Sequence, residues 1–150
     1  MLLSRLTTRG FTLLELMVVI AIISIIASLS APTFTRQIAK AKLIEAQNLA
    51  TQHQSLVEEF ILLHGSFPSE AEFNLIKQTL ADDSIAKAIS VDSQNKSMGN
   101  ILITLNDSTG ITENQYLKYS RDASRNWQCL SDLDNNILPL QCESVAGENQ

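Results

Sequence analysis

"RGFTLLELMVVIAIISIIASLSAP", residues Arg9 to Pro32, decides how the rest of the chain is read. From Phe11 to Ala31 the apolar run is interrupted only by Thr12, Glu15, Ser24, Ser28 and Ser30. Wound as a helix at ~1.5 Å per residue it spans about 31 Å, the thickness of a bilayer's hydrocarbon core. Glu15 stands near its start. A charged side chain deep in hydrocarbon costs at least ~2.5 kcal/mol, so an acid there is a functional hypothesis that calls for a partner of opposite sign.

Past this run, residues 33–64 stay helical in pattern but turn polar, and Leu49, Leu56, Phe60 and Leu63 are predicted to share one apolar stripe. Gly65 is the expected C-cap, and the break is reinforced by "SFP" at Ser66 to Pro68, because a residue before proline avoids helical angles. Pro32 either kinks one continuous helix or opens a second. Ser69 and Glu72 form a capping-box pattern ahead of a short helix predicted to run through Leu80. Residues 82–98 are ambiguous. After Gly99 the pattern changes to "ILITL" (101–105), "QYLKYS" (115–120) and "NWQCL" (126–130), separated by the turn-formers "NDSTG" and "RDAS". The expected fold class is α+β: a long N-terminal helix, half transmembrane and half amphipathic, packed against a small antiparallel sheet through Leu49, Leu56 and Phe60.

A chain of 150 residues holds one modest domain plus one long hydrophobic element. Its 11 basic residues face 16 acidic ones; without Arg5 and Arg9 the balance is 9 against 16, a poor general nucleic-acid binder. Cys129 and Cys142 lie close together near the C-terminus. A metal site would want more ligands nearby, whereas an exported chain would want a bridge.

Three readings compete for the N-terminal segment. An ordinary signal peptide would end near "SLSA", but the apolar region is too long, contains Glu15 and would leave a proline after the cut. A plain membrane anchor explains the length and leaves Glu15 unexplained. The third reading is a resemblance: "RGFTLLELMVVIAIISIIA" is similar to the class III signal of type IV prepilins and pseudopilins. The shared features are a short basic leader ending in glycine, a phenylalanine, a glutamate four residues on, and a hydrophobic helix. The resemblance implies that a prepilin peptidase of the inner membrane cuts after Gly10 on the cytoplasmic side. It further implies that Phe11 is N-methylated, and that Glu15 meets the Phe11 amine of a neighbouring subunit. Glycine suits the cut because it has no Cβ to obstruct the backbone. The charge pair acts as a register device, since sliding one helix along another would strand both charges in lipid. Arg36, Lys40 and Lys42 follow the apolar run, so counting basic residues leaves orientation open. Ser24 is a departure, standing where many pilins carry a helix-weakening glycine.

"WQCLSDLDNNILPLQC", Trp127 to Cys142, resembles the disulfide-bounded C-terminal loop of type IVa pilins, with a tryptophan two before the first cysteine and Pro139 near the second. The resemblance implies a Cys129–Cys142 bridge, worth roughly 3 kcal/mol for a loop of this size, and a loop exposed at a filament surface. It carries Asp132 and Asp134 but no basic residue, so no receptor class is inherited. Asp132, Asp134, Asn136 and Glu143 also echo a calcium-loop template, but Ile137 takes the place of the required glycine.

His53 and His64 are eleven residues apart on one helix, about 16 Å, too far to share a metal. His53 reads as a packing residue. No nucleophile pairs with either, no glycine-rich phosphate loop appears, and the chain is read as a non-enzyme with no cofactor and no metal site. Lys118, Arg121 and Arg125, interleaved with Tyr116, Tyr119 and Trp127, form a basic and aromatic cluster. It reads first as a solvated hairpin edge guarded by charge, and more sharply as a DNA-contacting patch, although alternate strand residues face opposite ways. "NKS" at Asn95 and "NDS" at Asn106 match a short glycan-acceptor pattern.

The domains expected are a cleaved leader (1–10), a transmembrane and assembly helix (11–32), and a periplasmic or extracellular pilin domain (33–150) that includes the outer half of the helix. The implied function is a structural subunit of a type IV pilus that supports adhesion, twitching motility or DNA uptake. The alternatives are a minor pilin, a type II secretion pseudopilin or a DNA-receptor pilin. Expected partners are identical and related pilins, the prepilin peptidase, the inner-membrane assembly machinery, the membrane itself, and a surface receptor or DNA. The chain is expected in the inner membrane as a precursor, then in an extracellular filament of a Gram-negative-type bacterium.

Overall fold

The computed structural model describes residues 10–145, so the expected leader apart from Gly10 lies outside the described residues. Two units divide at Phe34 and Thr35. Helix α1 (Leu13–His64) contains Pro32 within its length, so the continuous alternative is the one observed. Gly65 closes it as predicted, with φ +77° and its N–H donated to the Ile61 carbonyl at 2.8 Å.

In the first unit every residue from Phe11 to Phe34 is exposed. Ser24, Ser28 and Ser30 donate their hydroxyls to the carbonyls of Ile20, Ile25 and Ile26 at 2.7, 2.8 and 3.0 Å. A hydroxyl that donates to its own helix leaves no unmet donor to be hydrated.

In the second unit α1 buries Ala39, Leu43, Ala46, Ala50, His53, Val57 and Phe60, a strict alternation of four and three residues. This corrects the predicted stripe. Phe60 belongs to it, Leu49 and Leu56 sit on its shoulders, and Leu63 is 74% exposed. Leu49 and Leu56 mark the rim, while the small residues Ala46 and Ala50 are fully buried in the core beside Leu43. His53 is fully buried as a packing residue, donating from Nδ1 to the Leu49 carbonyl at 2.6 Å and accepting the Gln78 N–H at 3.4 Å.

Helix α2 (Glu70–Ile76) starts from the predicted capping box, the Ser69 hydroxyl accepting the Glu72 N–H and the Glu72 carboxylate accepting the Ser69 N–H; it ends short of Leu80. The ambiguous stretch becomes β1 (Ala86–Asn95), followed by β2 (Met98–Leu105), β3 (Tyr116–Arg121), β4 (Trp127–Ser131) and β5 (Cys142–Ser144). Their order in the sheet is β1-β2-β3-β4-β5. The first three pairings are antiparallel and the last, β4 with β5, is parallel, so the expected meander holds for its centre and gains an unforeseen strand at each edge.

Val91, Ile101, Tyr119, Cys129 and Cys142 lie in one row across all five strands and face α1. Gly99 permits the close approach at the end of β2: a Cβ there would stand 2.7 Å from the Phe67 ring and 2.8 Å from the Asp92 carbonyl. Glu45 ties the loop before β1 to α1, accepting the Ser84 hydroxyl at 2.9 Å and the Ile85 N–H at 3.1 Å.

Candidate functional site

The first turn of α1 places Glu15 on its own N-terminus. Its Oε2 accepts both the N–H and the hydroxyl of Thr12 at 2.9 Å, while the Thr12 hydroxyl accepts the Glu15 N–H at 3.2 Å. This is a second capping box, "TLLE" matching the "SEAE" that opens α2. Both follow the same spacing, Thr12 to Glu15 and Ser69 to Glu72, so this cap too is legible in the sequence. Within a single chain the partner of Glu15 is therefore local, the Thr12 N–H and hydroxyl. Phe11 is 86% exposed, one turn away from it. Helix α1 is long and apolar enough to cross a membrane, and its most apolar window buries nothing inside the chain.

The other candidate region is the loop closed by Cys129 and Cys142. The two residues stand opposite each other on β4 and β5 with Cα atoms 4.4 Å apart and are joined by a disulfide. The bridge is thus the staple that holds a three-residue strand on the sheet. Inside the loop, Leu133 and Ile137 are buried, and the Asp134 carbonyl accepts the N–H groups of Ile137 and Leu138 at 3.0 and 3.1 Å. Leu140 at its tip is fully exposed. Asp132 of the calcium echo is engaged elsewhere, accepting the Tyr116 N–H at 2.8 Å.

The basic cluster is not brought together. Lys118 lies on the outer face of β3, Arg125 lies in the exposed β3–β4 turn at φ 69°, and Arg121 points into the core with 2% of its side chain exposed. Arg121 grips Glu58 of α1 through Nε at 2.6 Å and an amino nitrogen at 2.9 Å, and donates a third bond to the Ser97 carbonyl at 2.7 Å. Trp127 adds its indole N–H to Glu58 at 2.9 Å. The Arg121 hydrogen bond holds the Glu58 carboxyl below the usual glutamate range, partly opposed by burial and aided by Trp127. This corrects the DNA-patch expectation for Arg121: its guanidinium is buried, with three of its five N–H groups spent on a carboxylate and a carbonyl, and is not presented to a phosphate at the surface. Its partner Glu58 is 63 residues away, beyond any local pattern.

The chain has clear relatives. A family model described as Pilin (bacterial filament) matches residues 39–143, and one described as Prokaryotic N-terminal methylation motif matches residues 5–31. Fimbrial protein EcpC of Eikenella corrodens is 32% identical over 144 residues, covering 92% of each chain. Type IV major pilin protein PilE of Neisseria gonorrhoeae is 33% identical over 85% of this chain and 77% of its own. Type IV major fimbrial protein FimA of Dichelobacter nodosus is 27% identical over 90% of this chain and 94% of its own. Spanning the apolar helix, the sheet and the cysteine-bounded loop together, these matches show that the chain belongs to the type IV pilin family, the subunits of bacterial filaments.

Proposed function

We propose that this chain is made as an inner-membrane precursor, cut between Gly10 and Phe11 by a prepilin peptidase, N-methylated on Phe11, and polymerised through the apolar half of α1 into an extracellular pilus. The leader is then residues 1–10, the assembly helix 11–32 and the exported body 33–150. In the filament the Glu15 carboxylate of one copy faces the Phe11 amine of another, which neutralises both charges in a low-dielectric contact. Relatives named as major pilins and fimbrial proteins support the structural role.

The observation that carries this reading is an apolar helix half with no residue buried, in which Glu15 is the one acid between Phe11 and Pro32. Such a surface needs lipid or other copies of itself, and a single acid in its first turn sets the register of the contact. Intact-mass measurement of the mature chain tests it. A product starting at Phe11, heavier by one CH2 for the methylation and lighter by two hydrogens for the disulfide than the unmodified reduced chain, is expected. A product that starts anywhere else removes the amine on which the pairing depends.

A further inference from the structure

Among the described residues of the second unit, apolar patches stay uncovered at two different heights along α1. The upper is a groove of about 620 Å³ between the end of α1 and α2, with Leu63 and Leu75 on its walls and the Phe60 and His64 rings stacked at 4.1 Å. Leu75 is 86% exposed, and the groove carries the acids Glu59 and Glu72. The lower patch joins α1 to the cysteine-bounded loop: Leu140 projects fully into solvent beside Ile44 and Pro139, and Lys40 is the one charged residue of the surface they form.

We propose that the lower patch of one copy, led by Leu140 and Lys40, docks into the upper groove of another copy, against Leu63, Leu75 and Glu59. Charge complementarity selects this occupant, because the groove is acidic and the projecting surface is basic, so each patch repels its own kind and attracts the other. The contact joins unlike patches and therefore leaves a free groove at one end and a free Leu140 at the other, which gives an open polymer. Ile44 and Leu63 are 19 residues apart on one helix, setting an axial offset of about 28 Å between docked copies. At 100° per residue the same 19 residues leave the two patches on different sides of α1, so the second copy sits beside the first as well as above it. The inference rests on the filament reading and adds to it a contact outside the apolar helix.

The test uses the full chain with Leu75→Cys and Leu140→Cys, singly and together, treated with a short bismaleimide after assembly. The double variant is expected to give a ladder of covalent multimers and each single variant only monomer. Filaments of the double variant that stay monomeric overturn the docking, and so does a covalent dimer from Leu140→Cys alone. Lys40→Glu and Glu59→Lys are each expected to lower the pelleted filament yield, with recovery when they are combined; unchanged yields in both count against the proposal. If the unaltered chain forms no filament in the cell that makes it, the filament reading itself fails, an outcome separate from intact filaments that do not cross-link.

Discussion

Arg121 and Glu58 meet through two hydrogen bonds and join β3 to α1, with Trp127 of β4 and the Ser97 carbonyl of the β1–β2 turn drawn into the same knot. The two partners are not equivalent, since the arginine side chain is 2% exposed and the glutamate 36%.

Unequal burial predicts unequal damage. Glu58→Ala strands a buried guanidinium and is expected to cost about 3 kcal/mol, while Arg121→Met leaves a carboxylate that still reaches water and is expected to cost about 1 kcal/mol. Thermal unfolding of the full chain in detergent reads the difference. Equal costs would show that the arginine finds solvent by another route.

The same pair fixes a pH window. Arg121 holds the Glu58 carboxyl below its ordinary value, so its contribution is present above the unfolded glutamate value of about 4.3 and is lost as pH falls through the lower folded value. Glu58→Gln is therefore expected to be less stable than the parent at neutral pH and to match it at low pH. A gap that persists in acid would mean that shape, not charge, carries the interaction.

Some of this was legible in the sequence and some was not, for reasons that particular residues make plain. Gly65 and the Ser69/Glu72 box are local signals and mark helix ends without help from the rest of the fold. The α1 stripe is hard to place from sequence because leucines outweigh alanines in any hydrophobic count, whereas the fold buries Ala46 and Ala50 in its core. Strand β1 was hidden by its polar outer face, and β5 by its length, being three residues held in place by a disulfide. Arg121 reads as a surface residue because nothing near it in the chain announces Glu58.

Tyr119 carries a buried hydroxyl that has no hydrogen-bond partner among the described residues, and burial pushes its pKa up to about 12. An unsatisfied buried group costs about 1–3 kcal/mol, so Tyr119→Phe is expected to be neutral or to raise the melting temperature. A clear loss of stability would reveal a partner for the hydroxyl.

Gly99→Ala places a methyl 2.7 Å from the Phe67 ring and 2.8 Å from a backbone oxygen. The ring can turn but the backbone cannot, and overpacking of this kind costs about 1–3 kcal/mol. Urea unfolding in detergent checks it, with Gly99→Ser expected to be at least as damaging.

Glu15→Ala removes the charge but spares the residues on either side of the Gly10–Phe11 bond. Cleavage, read by mass, is expected to persist while filaments, read by sedimentation, are lost. Normal filaments from this variant would dissolve the register argument.

The loop between the cysteines leaves the sheet and returns to it at a single rung, because Cys129 and Cys142 face each other on neighbouring strands. Its twelve residues are framed like a cassette whose doorway is covalently latched. Length or chemistry can be exchanged inside that doorway while the scaffold around it keeps its shape, provided that Leu133 and Ile137 still plug the inner wall. A foreign peptide spliced between Asn135 and Asn136, both exposed and outside the docking surface led by Leu140, would be carried outward on every copy of the polymer.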